Sequence, residues 1–378
     1  MKSKFLLFFL LGLSVSVFSQ QTINGSITHD NLQRDYILYL PLNYDGSTSV
    51  PLVFNFHGYT SSASEQMFYG DFRAIADTAG FILVHPEGTL FNGNTHWNVG
   101  GWTLGSTVDD VGFTSALIDS LAADYNINLE RVYSTGMSNG GYMSFLLACQ
   151  LSDRIAAVAS VTGSMTPETF NECSPQHPTP VMQIHGTSDS VVPYGGAAWT
   201  KPVEEAIDYW VNFNNCEMTP TVTPLDDINP VDGSTVEHFV YPAGDNGSTV
   251  EHFKVTGGDH TWPGTVFVFP GTNYDMDASA EIWRFFSRYD INGEIETTNT
   301  KDLTTNSLNI YPNPTSSILN IETDFTGEMN FEVISPIGAV ILKGVLNSSK
   351  QTIDFSDLNA NIYYLKIENR VYKILKTN

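Results

Sequence analysis

Between Gln20 and Asp290, short β-type runs alternate with longer segments of helical period, and this alternation constrains the fold more than any other feature of the chain. Pro51-Leu-Val-Phe-Asn-Phe56, Phe81-Ile-Leu-Val84, Arg131-Val-Tyr-Ser-Thr135, Ile155–Val161 and Val181–Ile184 are too short for buried helices and read as strands. Helical patterns fall at Glu65–Thr78, Asp109–Tyr125, Gly140–Leu151 and Asp277–Arg288, the last with Asp277 placed to cap it. Strands that are apolar on both faces and separated by helices predict a parallel sheet covered on both sides.

The two ends depart from this pattern. Lys2 and Lys4 precede an apolar run from Phe5 to Val17, with small Ser19 before Gln20. This is the layout of a secretory signal peptide over 1–19, too short for a membrane span. No other segment reaches spanning length, so a soluble mature protein is expected. Residues 291–306 are poor in apolar side chains and read as a linker. Beyond them, runs at Ile318–Ile321, Phe331–Ile334, Ala339–Leu342, Thr352–Phe355, Ile362–Ile367 and Val371–Leu375 predict a small β-sandwich over 307–378. Ser335-Pro-Ile-Gly338 suits a type I turn between two of them.

Charge and cysteines narrow the function. The formal net charge of −24 speaks against nucleic acid and anionic membrane surfaces as partners. Residues 20–290 carry 31 acidic and eight basic side chains, so the acidity belongs to the α/β part and favours neutral substrates. Three Cys do not make a disulfide scaffold, but export implies oxidising conditions. Cys149 lies in an apolar helical stretch and reads as a buried thiol. Cys173 and Cys216, in loop-like surroundings, are expected to pair.

Gly233-Ser-Thr-Val-Glu-His-Phe239 recurs as Gly247-Ser-Thr-Val-Glu-His-Phe253, and both copies alternate like strands. A hairpin is expected, with His238 and His252 at solvent-facing positions, since no further ligand stands at zinc spacing.

The chemistry centres on Gly136-Met-Ser-Asn-Gly140. A G-x-S-x-G sequence between a strand and a helix is a nucleophile elbow, a tight turn that lifts the Ser hydroxyl above the sheet. Ser138 then needs a base, and the base needs an orienting acid. Asp189, just past the strand Val181–Ile184, is the expected acid, and His260, in a Gly-rich turn, the expected general acid/base. Asp153 and Asp208 are rival acids that read as helix-surface charges. His85, His177 and His185 are rival bases, His185 reading as structural. Asp259 adjoins His260 but would have to fold back sharply to orient it. For the oxyanion hole, the amides of Asn139 and of Tyr59 are the expected donors, with the Tyr59 ring lining the acyl pocket. No Cys pair, H-E-x-x-H or EF-type loop supports a catalytic metal, and no cofactor is expected. Asp275 and Asp277 beside Asn273 are a candidate surface calcium set, with helix capping the simpler account.

These residues resemble the secreted polyhydroxybutyrate depolymerase-like and feruloyl esterase-like branch of carbohydrate-esterase family one, a group of α/β-hydrolases. The resemblance rests on Asn55-Phe-His-Gly58, His85-Pro-Glu-Gly88, Trp97-Asn98, Val108-Asp-Asp-Val-Gly-Phe113, Gly136–Gly141, His185-Gly-Thr-Ser-Asp189 and Gly257-Gly-Asp-His-Thr-Trp-Pro-Gly264. It implies an α/β-hydrolase unit over 20–290 with the triad and oxyanion residues named above. It also implies the Cys173–Cys216 bridge and Trp262 as a substrate-contacting wall. Asp109 and Asp110 read as helix capping with bonds to a neighbouring loop. Where relatives often carry a Cys after the Trp-Asn pair, this chain has Gly100-Gly-Trp102. The tail, with Tyr311-Pro-Asn-Pro314, Gly338, Asn361-Ile-Tyr-Tyr364 and Tyr372-Lys-Ile-Leu-Lys376, resembles the C-terminal sorting domain of type IX secretion. A carbohydrate-binding sandwich is the competing reading there.

The expectation is therefore a secreted or cell-surface, monomeric serine ester hydrolase whose C-terminal domain engages outer-membrane secretion machinery. Feruloyl or acetyl esters on plant polysaccharide, hydroxyalkanoate polyesters and terephthalate-type polyesters are the candidate substrates. A serine peptidase of the same fold and a non-catalytic glycan-binding surface protein are the readings from other classes.

Overall fold

The computed structural model describes residues 21–295, 308–323, 327–335, 340–367 and 370–377. The signal-peptide segment, most of the 291–306 linker and the turn residues 336–338 lie outside them. The chain divides into two units, Met1–Ile295 and Glu296–Asn378.

In the first unit, β1 (Gln21–His29) and β2 (Leu32–Leu40) form an antiparallel ribbon. There follow β3 (Val50–Phe56), α1 (Ala63–Tyr69), α2 (Arg73–Ala79), β4 (Ile82–Pro86) and a small hairpin of β5 (Thr89–Phe91) and β6 (Asn94–His96). Next are α3 (Asp110–Asp124), β7 (Ile127–Met137), α4 (Asn139–Gln150), β8 (Ala157–Val161), α5 (Pro167–Glu172), β9 (Val181–Gly186) and α6 (Val203–Phe213). The unit ends with β10 (Thr221–Pro224), β11 (Thr235–Tyr241), β12 (Val250–Thr256), α7 (Ala278–Phe286) and a short hairpin of β13 (Tyr289–Asp290) and β14 (Gly293–Glu294). Ten strands make one sheet in the order β1-β2-β4-β3-β7-β8-β9-β12-β11-β10. The run from β4 to β12 is parallel throughout.

Strand alternation explains why both faces are covered. Leu52, Phe54 and Phe56 of β3 pack with Phe113, Leu117 and Met143 on one side, whereas Val53 joins Phe72, Ile282 and Phe285 on the other. A side-chain period of two sends successive apolar residues to opposite layers, so each layer needs its own helices. This is the α/β-hydrolase arrangement expected from the sequence. Among the described residues, no helix is long and apolar enough to cross a membrane.

Several local expectations are corrected. The single helix over 65–78 is two helices, broken at Gly70. Asn55 Nδ2 donates to the Gly70 carbonyl at 2.8 Å, taking an acceptor that a continuous helix would use. A Cβ at Gly70 would also lie 2.9 Å from the Trp262 ring. The repeated heptapeptides do pair as β11 and β12, but His252 does not face solvent and His238 is only partly exposed. His252 is buried with Nδ1 against Gln183 O, because β12 is an interior strand between β9 and β11. His238 stacks on Phe253 and bonds Glu251.

The cysteine pairing also differs. Cys149 bonds Cys173, and Cys216 is a buried free thiol. Cys149 is in the last turn of α4 and Cys173 caps α5, which brings their Cα atoms to 4.7 Å. Cys216 turns inward toward Ser248 O, and burial pushes its thiol up to about 11. The first unit also continues past Asp290, since the β13–β14 hairpin is tied back by Ile291 N–H to Glu130 O and Ile295 N–H to Arg288 O.

The second unit packs two antiparallel sheets. One holds β15 (Leu308–Tyr311), β16 (Ile318–Thr323) and β19 (Lys350–Asp354). The other holds β17 (Met329–Ile334), β18 (Val340–Leu346), β20 (Asn361–Ile367) and β21 (Arg370–Lys376). Leu319, Ile321, Phe331, Val333 and Leu365 form the core of this small sandwich.

Candidate active site

Ser138 stands between the last residue of β7 and the first of α4, with φ 53° and ψ −119°. A non-glycine residue in the left-handed half of backbone space is strained, and here the turn between strand and helix imposes it. The flanking glycines make the turn sterically possible. A Cβ at Gly136 would fall 2.5 Å from Phe56 O, and one at Gly140 would collide with the same carbonyl. Ser138 N–H donates to Val161 O at 2.8 Å, fastening the elbow to β8.

Asp189 and His260 leave the same edge of the sheet, on the loops after β9 and β12. His260 Nδ1 donates to Asp189 Oδ2 at 2.8 Å, leaving Nε2 as the basic nitrogen. The Asp189 carboxylate is buried, and its Oδ1 accepts from Val191 N–H (2.9 Å) and Val192 N–H (2.7 Å). His185, read as structural, fills a further role. Its Nε2 bonds Val192 O at 3.0 Å and lies 3.3 Å from Asp189 Oδ2. Burial alone would raise the Asp189 pKa, but hydrogen bonds from His185 and His260, with their charges, hold it well below the ordinary carboxylate range. The carboxylate thus stays ionised to orient the imidazole.

Asp259 does not reach the His260 ring. Its Oδ1 accepts from Ser190 N–H, Ser190 Oγ and the His260 amide, each at 2.8–2.9 Å, and so ties together the loops after β9 and β12. The rival bases are engaged elsewhere: His85 is buried in β4, and His177 bonds Pro178 O and Ser152 O. Among the described residues, Ser138 Oγ makes no hydrogen bond to His260, so the structure joins His260 to Asp189 but not to Ser138.

The oxyanion side is held by a residue that the motif alone did not single out. Trp97 Nε1 donates to His57 O at 2.9 Å, on the loop that carries Tyr59. The Trp97 backbone clasps the Asn139 side chain, donating to Oδ1 at 2.8 Å and accepting from Nδ2 at 3.1 Å. One buried tryptophan therefore connects both expected donors, through its indole to the Tyr59 loop and through its backbone to Asn139. His57 completes the loop: Nδ1 donates to Gly58 O (2.7 Å) and Nε2 accepts from Gly88 N–H (2.9 Å). Burial lowers its pKa to about 4, which keeps Nε2 free to accept. Ser61 N–H bonds Gly58 O and Thr60 N–H bonds Thr95 O, leaving the Tyr59 amide without a backbone acceptor among the described residues. The Asn139 amide, first in α4, has no intrahelical acceptor. A Cβ on Gly58 would lie 3.5 Å from Ser138 Cβ, so this loop passes directly beside Ser138.

The substrate-wall expectation needs correction. Trp262 is 1% exposed, edge-on to Phe72, with Nε1 donating to Ser279 Oγ at 3.2 Å. It is a core residue behind the site. Tyr69, Phe267 and Phe269 instead line a cavity of about 730 Å³ that His260 also borders. The apolar run Val266-Phe-Val-Phe-Pro270 was the available signal. Tyr59 is half-buried, its hydroxyl accepting from Asn94 Nδ2 and its ring meeting Trp102 edge-on at 6.5 Å.

Four other carboxylates singled out in the sequence make local contacts. Asp110 pairs with Arg34 at 2.6 Å and accepts from Asn98 N–H, while Asp109 caps α3. Asp277 caps α7, and Asp275 Oδ1 accepts from the amides of Ile228 and Asn229.

Residues 34–199 match the family described as Esterase PHB depolymerase, and residues 309–377 match the secretion system C-terminal sorting domain, which marks the chain for export to the cell surface or beyond. A bifunctional acetylxylan esterase/xylanase of Neocallimastix patriciarum is 31% identical over 46% of this chain, a stretch that spans 24% of that enzyme. A probable feruloyl esterase C of Aspergillus clavatus is 31% identical over 50% of this chain and 69% of its own length. An acetyl xylan esterase structure from Aspergillus awamori superposes with a TM-score of 0.52 at 14% identity, covering 70% of this chain and 99% of that one, a likeness of fold.

Proposed function

The chain belongs to the esterase family of the polyhydroxybutyrate depolymerases and feruloyl esterases, and from that premise we propose that it is an exported serine carboxylic-ester hydrolase using Ser138, His260 and Asp189. The observation that carries this reading is the 2.8 Å bond from His260 Nδ1 to a buried Asp189 carboxylate at the sheet edge where Ser138 occupies its strained elbow. Ser138 Oγ attacks the ester carbonyl carbon as His260 Nε2 takes its proton. The amides of Tyr59 and Asn139 receive the oxyanion, each worth about 3 kcal/mol of barrier by analogy with measured donors. The carbonyl re-forms, the C–O bond to the alcohol breaks, and His260 hands its proton to the leaving oxygen. Water, deprotonated by the same imidazole, then releases the acid and restores Ser138.

Feruloyl or acetyl esters of plant polysaccharide and hydroxyalkanoate polyesters are the proposed substrates, acted on by a monomer outside the cell. The test is hydrolysis of methyl ferulate, acetylated xylan, polyhydroxybutyrate and a terephthalate polyester by wild type and Ser138→Ala. Loss of all hydrolysis in the variant is expected, and unchanged hydrolysis would overturn the assignment.

A further inference from the structure

The cavity beside His260 is unusual in its chemistry. Its apolar walls are Phe68 and Tyr69 of α1, Val191 from the loop that carries Asp189, and Phe267 and Phe269 from the segment after β12, with the carboxylates Glu65 and Asp259 and several hydroxyl side chains completing the lining. Tyr69 meets Phe269 edge-on at 5.6 Å and Phe267 at 6.2 Å, so the three rings form one continuous surface. Phe267, Phe269, Phe68 and Val191 are each more than two-fifths exposed, a cost that an unliganded soluble surface does not need to carry. No Lys or Arg is among its lining residues.

The wall is fixed relative to the catalytic imidazole. Gly264 N–H donates to Asn273 O at 2.9 Å, closing the neck of the 264–273 loop. Asp259 N–H donates to Gly271 O at 2.9 Å, and Tyr274 Oη donates to Phe267 O at 3.1 Å. Ser190, on the opposite loop, is bound to Asp259. The cavity is therefore preorganised around His260, which limits the ordering entropy a ligand has to overcome.

Its position assigns it to one half of the substrate. Of the proposed catalytic groups it touches His260 but neither Ser138 nor the oxyanion donors Tyr59 and Asn139. When the tetrahedral intermediate collapses, the electron pair of the breaking C–O bond stays on the alcohol oxygen, which takes its proton from His260 Nε2. The leaving alcohol must therefore lie on the imidazole's side. We infer that this cavity is a leaving-group subsite for a neutral ester whose alcohol carries a sizeable hydrocarbon or aryl body. The inference rests on the triad reading above and goes beyond it in assigning specificity to the alcohol half. The excess of acidic side chains over residues 20–290 selects further against an anionic alcohol.

The test compares methyl acetate with 2-phenylethyl acetate, two esters with the same acyl group and alcohols of nearly equal acidity. The full chain is expected to show kcat/KM at least about tenfold higher for the phenylethyl ester, the scale on which hydrophobic pockets discriminate. Phe269→Ala and, separately, Val191→Asp should each bring that ratio below about threefold. A wild-type ratio under threefold overturns the subsite, as does a high ratio that neither variant lowers. Ser138→Ala keeps the two readings distinct: if it still hydrolyses both esters the triad reading fails, whereas Ser138-dependent hydrolysis without alcohol preference refutes only the subsite.

Discussion

Replacing Asp189 by asparagine tests the relay without changing its shape. Oδ1 holds the amides of Val191 and Val192 at 2.9 and 2.7 Å, while Oδ2 receives His260 Nδ1 at 2.8 Å. In Asp189→Asn the side-chain amide oxygen has to stay on the two backbone donors, since turning it around would leave both N–H groups facing an NH₂ group and the buried Val192 N–H unpaired at about 1–3 kcal/mol. The new NH₂ group then faces His260 and donates to Nδ1, which moves the imidazole proton to Nε2. His185 does not compensate, because its Nε2, which lies against Val192 O as well as Asp189 Oδ2, is a donor and offers the new NH₂ group no acceptor. An Nε2–H imidazole has no lone pair there for the Ser138 proton, and a loss near 10⁴-fold in kcat is expected, about 5.4 kcal/mol at 1.36 kcal/mol per tenfold. The assay is kcat and KM for a soluble ester at pH 8, with circular dichroism establishing that the variant folds. A loss below tenfold in a folded protein would refute the relay.

Trp97→Phe keeps an aromatic ring, though a smaller one, and removes the N–H that holds His57 O, and should lower kcat tenfold or more with KM within about threefold; equal loss in both parameters would argue against a positioning role. Acid stability follows from three buried histidines, His57, His85 and His252, whose pKa values burial lowers to about 4, 3 and 3. Unfolding lets each bind a proton below about 6.5, so the unfolded state holds more protons and stability falls as pH drops from 6.5 toward 4. His57 alone contributes on the order of 3 kcal/mol. Glu251, held down to about 2 by His238, Arg288 and Arg284 against its burial, stabilises above its unfolded pKa and loses that contribution only as pH falls toward 2. Urea midpoints that stay level between pH 6.5 and 4 would contradict this. Non-reducing peptide mapping should find Cys149 joined to Cys173 and one thiol per chain, Cys216, that reacts only after unfolding. Reduction should cost about 3 kcal/mol for a 24-residue loop, and recovery of a Cys173–Cys216 peptide would refute the pairing.

The parts of this molecule that could be read from the chain are those set by local periodicity or by one motif. The alternation around β3, β7 and β9 revealed the sheet, and Gly136–Gly140 located the elbow, because backbone sterics leave few other structures for such segments. Contacts across elements were less accessible. The approach of Cys149 to Cys173 depends on how α4 packs on α5, and the break at Gly70 depends on Asn55, which sits fifteen residues away in β3. Trp262 shows the limit of motif reasoning. The pattern places it near the site, yet only the packing of Phe72 and Ser279 decides that it faces the core. Trp97 was visible as a motif residue, but its role appears only when its indole is seen on the His57 loop and its backbone on Asn139.

The central claim is that Ser138 is the nucleophile of a relay completed by His260 and Asp189. Stoichiometric inactivation with a fluorophosphonate, followed by peptide mass mapping, tests it most directly. One adduct per chain on Ser138, forming far more slowly in Asp189→Asn, is the predicted result. An adduct on another residue, or full ester hydrolysis after Ser138 is modified, would contradict the account.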